Sequence, residues 1–267
     1  MTRSQPAYRV ARLPRDRLVV LDLLSLAASQ HTVHGLIEVD LTVARQLLAQ
    51  EADPPTLTAF LIATLGRAVA RHPEVNVRRA GRRLVLFDDV DVAVSVEREL
   101  ASARMPLPHG VRRASVRSVR DIGAELAAVR RAPVSGSGDL IGHPWVARTP
   151  ALLRRLGARA AGHVPAAVAR FGPPIGISSL GMFEAGWGIP LSPMTLMVTV
   201  GGSSRRLVPL DGRGVEREVL PLTLSFDHAV VDGAPAARFA ADFRRLIEKA
   251  TVLIEPDRAP SVGRRRE

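Results

Sequence analysis

"LSFDHAVVDGAPAARF", residues 224–239, joins an apolar run to a histidine, an Asp-Gly pair and an amphipathic segment. Its period changes at the histidine. Before His228 the pattern suits a strand, and after it Ala236, Phe239, Ala240, Phe243, Leu246, Ile247 and Ala250 fall on one helical face. The stretch reads as strand, tight loop and helix. Asp232 is a good helix start, because a carboxylate there can accept from the free N–H groups of the first turn, and Pro235 is tolerated in that turn. His228 has two readings on local sequence. It closes a strand, or it takes a proton from a thiol or hydroxyl and returns it to a leaving group, as a side chain that titrates near neutrality can.

Outward from this junction, the chain alternates between helical and strand patterns. Residues 16–30 read as a mostly apolar helix, and "HTVHGLIEVDLT" as a strand. After "EADPPT", Thr56 marks a helix entry, with Leu57, Phe60, Leu61, Leu65 and Val69 at helical spacing up to His72-Pro73. "VNVRRAGRRLVLF" reads as a hairpin turning at Ala80-Gly81, and "VDVAVSV" as a further strand. Another amphipathic helix follows, with Val116, Val119, Ile122, Leu126 and Val129 on one side. Residues 140–170 are irregular and basic, and fit one or two short amphipathic helices that cover the core or bind a partner. "IGISSLG", "TLMVTVGG" and "LPLTLSF" are strands, the middle one apolar enough to be buried on both faces. The pattern predicts one domain over residues 1–255, with 140–170 as an insertion and 256–267 as a polar tail.

Composition narrows the function. The 267 residues are 46% hydrophobic, enough for a real core, and no run reaches the roughly 20 apolar residues of a membrane span. The N-terminus has no secretory pattern, so the expected location is the cytoplasm. There is no cysteine, which excludes disulfides, thiolate metal sites and a cysteine nucleophile in this chain. The seven histidines show no metal-ligand spacing, and no metal is expected. A net charge of +11 invites a nucleic-acid reading. Against it, all 37 basic residues but Lys249 are arginine, a bias of the whole chain, and one tyrosine with two tryptophans offers little surface for stacking bases. No nucleic-acid partner is expected.

Several motifs in one order carry a resemblance. "PLTLSFDHAVVDGAPAARFAADFRRLIE", "IGISSLGMF" at 175–183 and "MTLMVTVGG" resemble the end of the catalytic domain of the 2-oxo acid dehydrogenase acyltransferases (dihydrolipoamide acyltransferases). Upstream, "HTVHGLIEVDLT", "LTAFLIATLGRAVARHPEVNV" and "VDVAVSV" match that family's order of strand, helix and strand. The resemblance implies the chloramphenicol acetyltransferase-like fold, an α/β (α+β) two-layer sandwich with a mixed sheet covered by helices. It implies a homotrimer with active sites between subunits. It also implies acyl-coenzyme A as substrate, His228 as general base, and Ser178 as oxyanion donor from the facing subunit. Asp232 and Gly233 are implied to shape the loop that aims His228. Ser179 is the competing hydroxyl, and His34 reads as a structural histidine.

The chain departs from the family in three places. Its 267 residues show no lipoyl or peripheral-subunit-binding pattern, so the expectation is a bare catalytic domain whose lipoylated acceptor, if any, comes from another protein in trans. Residues 95–111, "SVERELASARMPLPHGV", replace the family's channel-lining segment. The tail "SVGRRRE" is too charged to fill an apolar pocket, which predicts a trimer without a larger core. The leading expectation is acyl transfer to a thiol. The competing ones are O- or N-acylation of a small molecule, for which Asp227 stands where chloramphenicol acetyltransferases carry a second histidine, and a non-catalytic trimeric scaffold.

Overall fold

A computed structural model describes residues 8–11, 13, 15–100, 103–132, 149–181, 186–210 and 212–255. The chain opens with α1 (Arg15–Ala27), β1 (Thr32–Asp40), α2 (Thr42–Ala49) and α3 (Leu57–Arg71). Thr56 starts α3 as the sequence indicates, its hydroxyl accepting from the Ala59 N–H at 3.2 Å. A hairpin of β2 (Val77–Ala80) and β3 (Arg83–Leu86) turns at Gly81, whose φ of 61° suits glycine. Then come β4 (Val92–Leu100), β5 (Ala103–Val111) and α4 (Val119–Arg131), which the Ser118 hydroxyl caps by accepting from the Asp121 N–H at 3.0 Å. The described part of the basic stretch holds α5 (Ala151–Ala161) and α6 (Pro165–Arg170). The last elements are β6 (Ile175–Ser179), β7 (Leu196–Val200), β8 (Ser204–Leu210), β9 (Arg213–Asp227), α7 (Gly233–Glu248) and α8 (Thr251–Ile254).

The 15-residue β9 organises the main sheet. Its second half pairs antiparallel with β1, from Thr32↔Asp227 to Asp40↔Val219, and with β7, from Leu196↔Phe226 to Val200↔Leu222. Its first half pairs with β8. The sheet order is β1-β9-β7-β6-β4-β5, with β6 parallel to both β7 and β4. Alternation puts Val92, Val94, Ile175, Ile177, Leu196, Val198, Leu222, Leu224 and Phe226 on one face, in a single core with Phe60, Leu65, Ile122, Leu126, Phe239 and Phe243 from α3, α4 and α7. This is the two-layer mixed-sheet architecture expected. Phe226 meets Phe239 edge to face at 5.9 Å, and Phe239 stacks on Phe243 at 5.8 Å, which fixes the end of β9 on α7. The close approach of α3 to the turn before α4 depends on Gly66, where a Cβ would lie 2.6 Å from the Ala114 carbonyl carbon.

Four readings of the sequence change. Residues 95–111, which carried no element beyond the strand at 90–96, form most of the β4–β5 hairpin; β5 went unread because Pro106 and Pro108 interrupt it, and an edge strand tolerates them. β8 and the first half of β9 went unread because they project beyond β1 as a largely exposed arm with no buried face. Val116 is 47% exposed rather than on the buried face, since the Ser118 cap starts α4 after it. The Asp232 side chain makes no capping hydrogen bond, although the residue does occupy the N-cap of α7. The expected tail 256–267 lies outside the described residues, as does 133–148. No described helix is long and apolar enough to cross a membrane.

Candidate active site

His228 stands one residue past the end of β9, and backbone and side-chain bonds build its loop. The buried Asp227 is the organiser. Its N–H donates to the Thr195 carbonyl at 3.0 Å, and its own carbonyl accepts from the Val230 and Val231 N–H groups at 3.0 and 2.9 Å. Its carboxylate Oδ1 accepts from the Ala229 N–H at 3.1 Å, an Asx-type turn. The His228 N–H donates to the His31 carbonyl at 2.8 Å, tying the loop to the start of β1. The backbone of His228 is thus held on both sides while its imidazole stays 44% exposed. Such a ring is placed to meet a ligand.

Asp232 contributes less than the sequence implies. Its carboxylate is 85% exposed and lies 3.9 Å from His228 Nδ1, beyond hydrogen-bond range. Gly233 has open space where a Cβ would stand and no left-handed backbone, so sterics do not demand glycine there. Loop shaping rests on Asp227, which sequence reasoning noted only as a difference from chloramphenicol acetyltransferases. His34, read as a buried or hydrogen-bonded histidine, is exposed and hydrogen-bonded: its Nδ1 is 2.8 Å from the hydroxyl of Ser225, its register partner across β1 and β9.

Ser178 lies on β6, level with Thr199 on β7 and Thr223 on β9. It lines an open cleft of about 520 Å³ with Ser95, Glu97, Thr58, Arg130 and Ile177. The cleft has a simple origin. β4 pairs with β6 only from Val92 to Val94, after which β4 continues alongside β5 while β6 turns away. Ser179 also borders the cleft, but its hydroxyl accepts from the Gly181 N–H at 3.4 Å. Ser178 has no such bond to another described residue, and the O–H of each serine is left to donate. Upstream of β6, Arg78 fixes the strand's entry, donating to the Pro173 and Pro193 carbonyls at 2.7 and 3.3 Å beneath the Phe171 ring. Burial pushes its guanidinium down to about 10.

The structure does not bring Ser178 and His228 together within one chain. From Thr223, level with Ser178, β9 runs on to His228 at about 3.3 Å per residue, and two strand spacings of about 4.8 Å separate β9 from β6. The two side chains therefore start about 19 Å apart, at opposite ends of the sheet. No single-chain chemistry can use both. Among the described residues no three His, Asp or Glu side chains gather as metal ligands.

Two clusters of charge lie outside this pair. On α4, Glu125 accepts from His109 at 2.6 Å and from Arg117. Burial raises its carboxyl, but the hydrogen bonds and charges of Arg117 and His109 outweigh that and hold it below the usual range. On α7, Asp242 behaves likewise: burial raises it, while the Arg245 hydrogen bond and the charges of Arg71, Arg245 and His72 hold it lower. Both clusters pin helices, α4 to β5 and α7 to the end of α3.

This architecture is the chloramphenicol acetyltransferase-like fold. A chloramphenicol acetyltransferase superposes with a TM-score of 0.51 at 14% identity, over 90% of this chain and 95% of that one. Within that class the relation is narrower. Residues 170–255, which hold Ser178 and His228, match the model of the 2-oxoacid dehydrogenases acyltransferase catalytic domain. The chain is related to those catalytic domains, as its motifs indicated. The acetyltransferase component of the pyruvate dehydrogenase complex of Rickettsia prowazekii is 35% identical over 83 residues, 29% of this chain and 20% of that protein. That of Rickettsia bellii is 24% identical over 95% of this chain and 56% of that protein. The chain thus spans a fifth to just over half the length of these relatives. Among solved structures, the Azotobacter vinelandii dihydrolipoamide acetyltransferase superposes with a TM-score of 0.67 at 22% identity, over 95% of this chain and 100% of that one. Its catalytic mechanism was investigated at a serine, a histidine and, four positions after the histidine, an asparagine.

Proposed function

We propose that this protein is an acyltransferase that moves an acyl group from acyl-coenzyme A to a thiol, with His228 and Ser178 contributed by two copies of the chain to one site. The observation that carries this reading is their placement at opposite ends of one sheet, each exposed to ligand and each within the segment related to acyltransferase catalytic domains. The four-position spacing of His228 and Asp232 repeats that of the residues investigated in the Azotobacter vinelandii enzyme. A trimer supplies such a site at each of its subunit interfaces, because each subunit presents both halves to different neighbours.

The chemistry follows from the residue types. His228 takes the proton from the acceptor thiol, and the sulfur attacks the thioester carbonyl carbon. The carbonyl oxygen gains the negative charge, and the Ser178 hydroxyl donates a hydrogen bond to it; such a donor lowers a barrier by roughly 3–4 kcal/mol. The old carbon–sulfur bond then breaks. The proton on His228 passes to the departing sulfur of coenzyme A, so the imidazole ends neutral and the new thioester stays on the acceptor. Asp227 acts as a positioning residue through the loop.

The test is complementation. His228→Ala and Ser178→Ala proteins, each alone, are expected to lose turnover of acetyl-coenzyme A by on the order of 10²-fold or more. Co-refolded in equal amounts, they regain about a quarter of wild-type sites, the statistical share of interfaces that join an intact serine to an intact histidine. Full activity of His228→Ala, or no recovery in proven mixed oligomers, overturns the reading.

A further inference from the structure

Helix α5 is turned inside out. Leu152, Leu153 and Leu156 are 69, 58 and 53% exposed, while the Arg154 side chain is only 10% exposed. The inward side is held by charge: Asp22 of α1 accepts from Arg154 Nε at 2.6 Å and from Arg155 Nε at 3.1 Å. Helical spacing sets the outward stripe, since Leu156 follows Leu152 by four positions and Arg159 follows Leu156 by three. A helix of 11 residues is marginal in water, and the apolar face that normally fixes such a helix to its protein is here the free one. The basic stretch read from the sequence therefore does not cover the core through its leucines.

Charge selects the partner. From residue 140 to residue 183 the chain holds five arginines and no aspartate or glutamate. At the end of α5 the Gly81 N–H donates to the Gly162 carbonyl at 3.0 Å, which sets the β2–β3 turn, with the exposed Arg82, against the end of the helix. Neither Arg159 nor Arg82 pairs with an acid among the described residues, whereas Arg112, Arg120 and Arg206 do. Three leucines on a single helix fall far short of the roughly 800 Å² per partner of a stable protein interface. A second copy placed on the stripe by a two-fold axis sets Arg159 against its own equivalent. An anionic bilayer surface needs neither a large area nor an acidic side chain. Leucines enter the boundary between headgroups and acyl chains to a depth of about 5–10 Å, and arginines meet the phosphates above them.

We infer that α5 docks this protein on anionic lipid, with Leu152, Leu153 and Leu156 inserted and Arg159 and Arg82 on the headgroups. Attachment is reversible, because one short apolar stripe with few basic residues gives weak partitioning. No residue of α5 lines the Ser178 cleft or bonds to the His228 loop, so docking stands apart from the acyl-transfer reading.

The test is sedimentation of the full chain with vesicles of phosphatidylcholine alone and of phosphatidylcholine mixed with phosphatidylglycerol. Binding is expected to be stronger on the mixed vesicles by on the order of tenfold and to weaken as salt rises. Leu156→Ser should lower the partition coefficient on the order of tenfold, the effect of one buried leucine, and Leu152→Ser combined with Leu156→Ser on the order of 10²-fold. Arg159→Gln and Arg82→Gln should each lower it roughly fivefold. Leu207→Ser, at an exposed leucine of β8, is the control and should change nothing. All of these side chains are exposed, so melting temperatures should hold and the readout is binding itself. Failure to bind the mixed vesicles, a loss in Leu207→Ser equal to that in Leu156→Ser, or binding that the α5 leucine substitutions leave intact overturns the inference. So does a fall in native mass of the Leu156→Ser protein without lipid, which assigns the stripe to contact between copies.

Discussion

Asp227→Ala is the substitution whose effect the structure lets one work through most fully. The variant deletes one carboxylate that is 5% exposed and that accepts the Ala229 N–H, while the three backbone hydrogen bonds of residue 227 and the His228–His31 bond remain available. A hydrogen bond to a charged group contributes about 1.5–3 kcal/mol, and the partly buried Ala229 N–H is left without its acceptor. A loss of about 2 kcal/mol lowers the melting temperature of a chain this size by roughly 4–8 °C. The effect on turnover is expected to be larger than stability explains, because a catalytic group displaced by about 1 Å can cost on the order of 10²-fold. Asp227→Asn keeps an acceptor oxygen and should lose under about 1 kcal/mol, with most turnover retained. The assays are thermal unfolding and acetyl-coenzyme A turnover on all three proteins. Equal behaviour of the alanine and asparagine variants, or an alanine variant that loses neither stability nor turnover, refutes the assignment of the loop to this carboxylate.

Four further outcomes are expected. Gly66→Ala forces a Cβ to within 2.6–2.7 Å of the backbone of Ala114 and Ser115, and despite a gain of about 1 kcal/mol in helix propensity it should destabilise by about 1–3 kcal/mol in urea. Gly233→Ala meets nothing and should leave stability unchanged or raise it by up to about 1 kcal/mol, although it sits in the Asp-Gly motif. Arg78→Lys cannot reach both the Pro173 and Pro193 carbonyls and loses the stacking on Phe171, which should cost about 2 kcal/mol by chemical denaturation. The carboxyl of Asp242 is held below its ordinary value, so its contribution is fully present above about pH 4 and is lost as pH falls through the depressed folded value. Asp242→Asn should therefore melt below wild type at pH 7, with the gap closing toward pH 3.

Elements that bury one regular face were legible in the sequence. β1, α3, the β2–β3 hairpin, β6, β7, the end of β9 and α7 all announce themselves by period, and Thr56 and Gly81 mark their boundaries. The β8–β9 arm has no face to bury, so its Arg and Glu residues carry no period to read. The site was half legible. Residue type and motif order singled out His228 and Ser178, but their separation depends on strand register, which is a property of the sheet. The role of Asp227 was hidden for another reason. An aspartate beside a histidine suggests proton relay, whereas its bonds run to the backbone of Ala229 and Thr195.

The prolines of β5 have a consequence for growth of the sheet. Pro106 and Pro108 face Glu97 and Ser95 of β4, two positions apart and hence on the same side of their own strand. Neither has an N–H, and prolines persist in a paired strand where the missing donor would have pointed away from the ladder. The outer border of β5 is therefore short of donors along its middle, a poor template for another chain. Any molecule that lengthens this sheet by backbone pairing has to arrive along β1 or the β8–β9 arm, so the sheet has a direction in which it can be extended and one in which it is sealed.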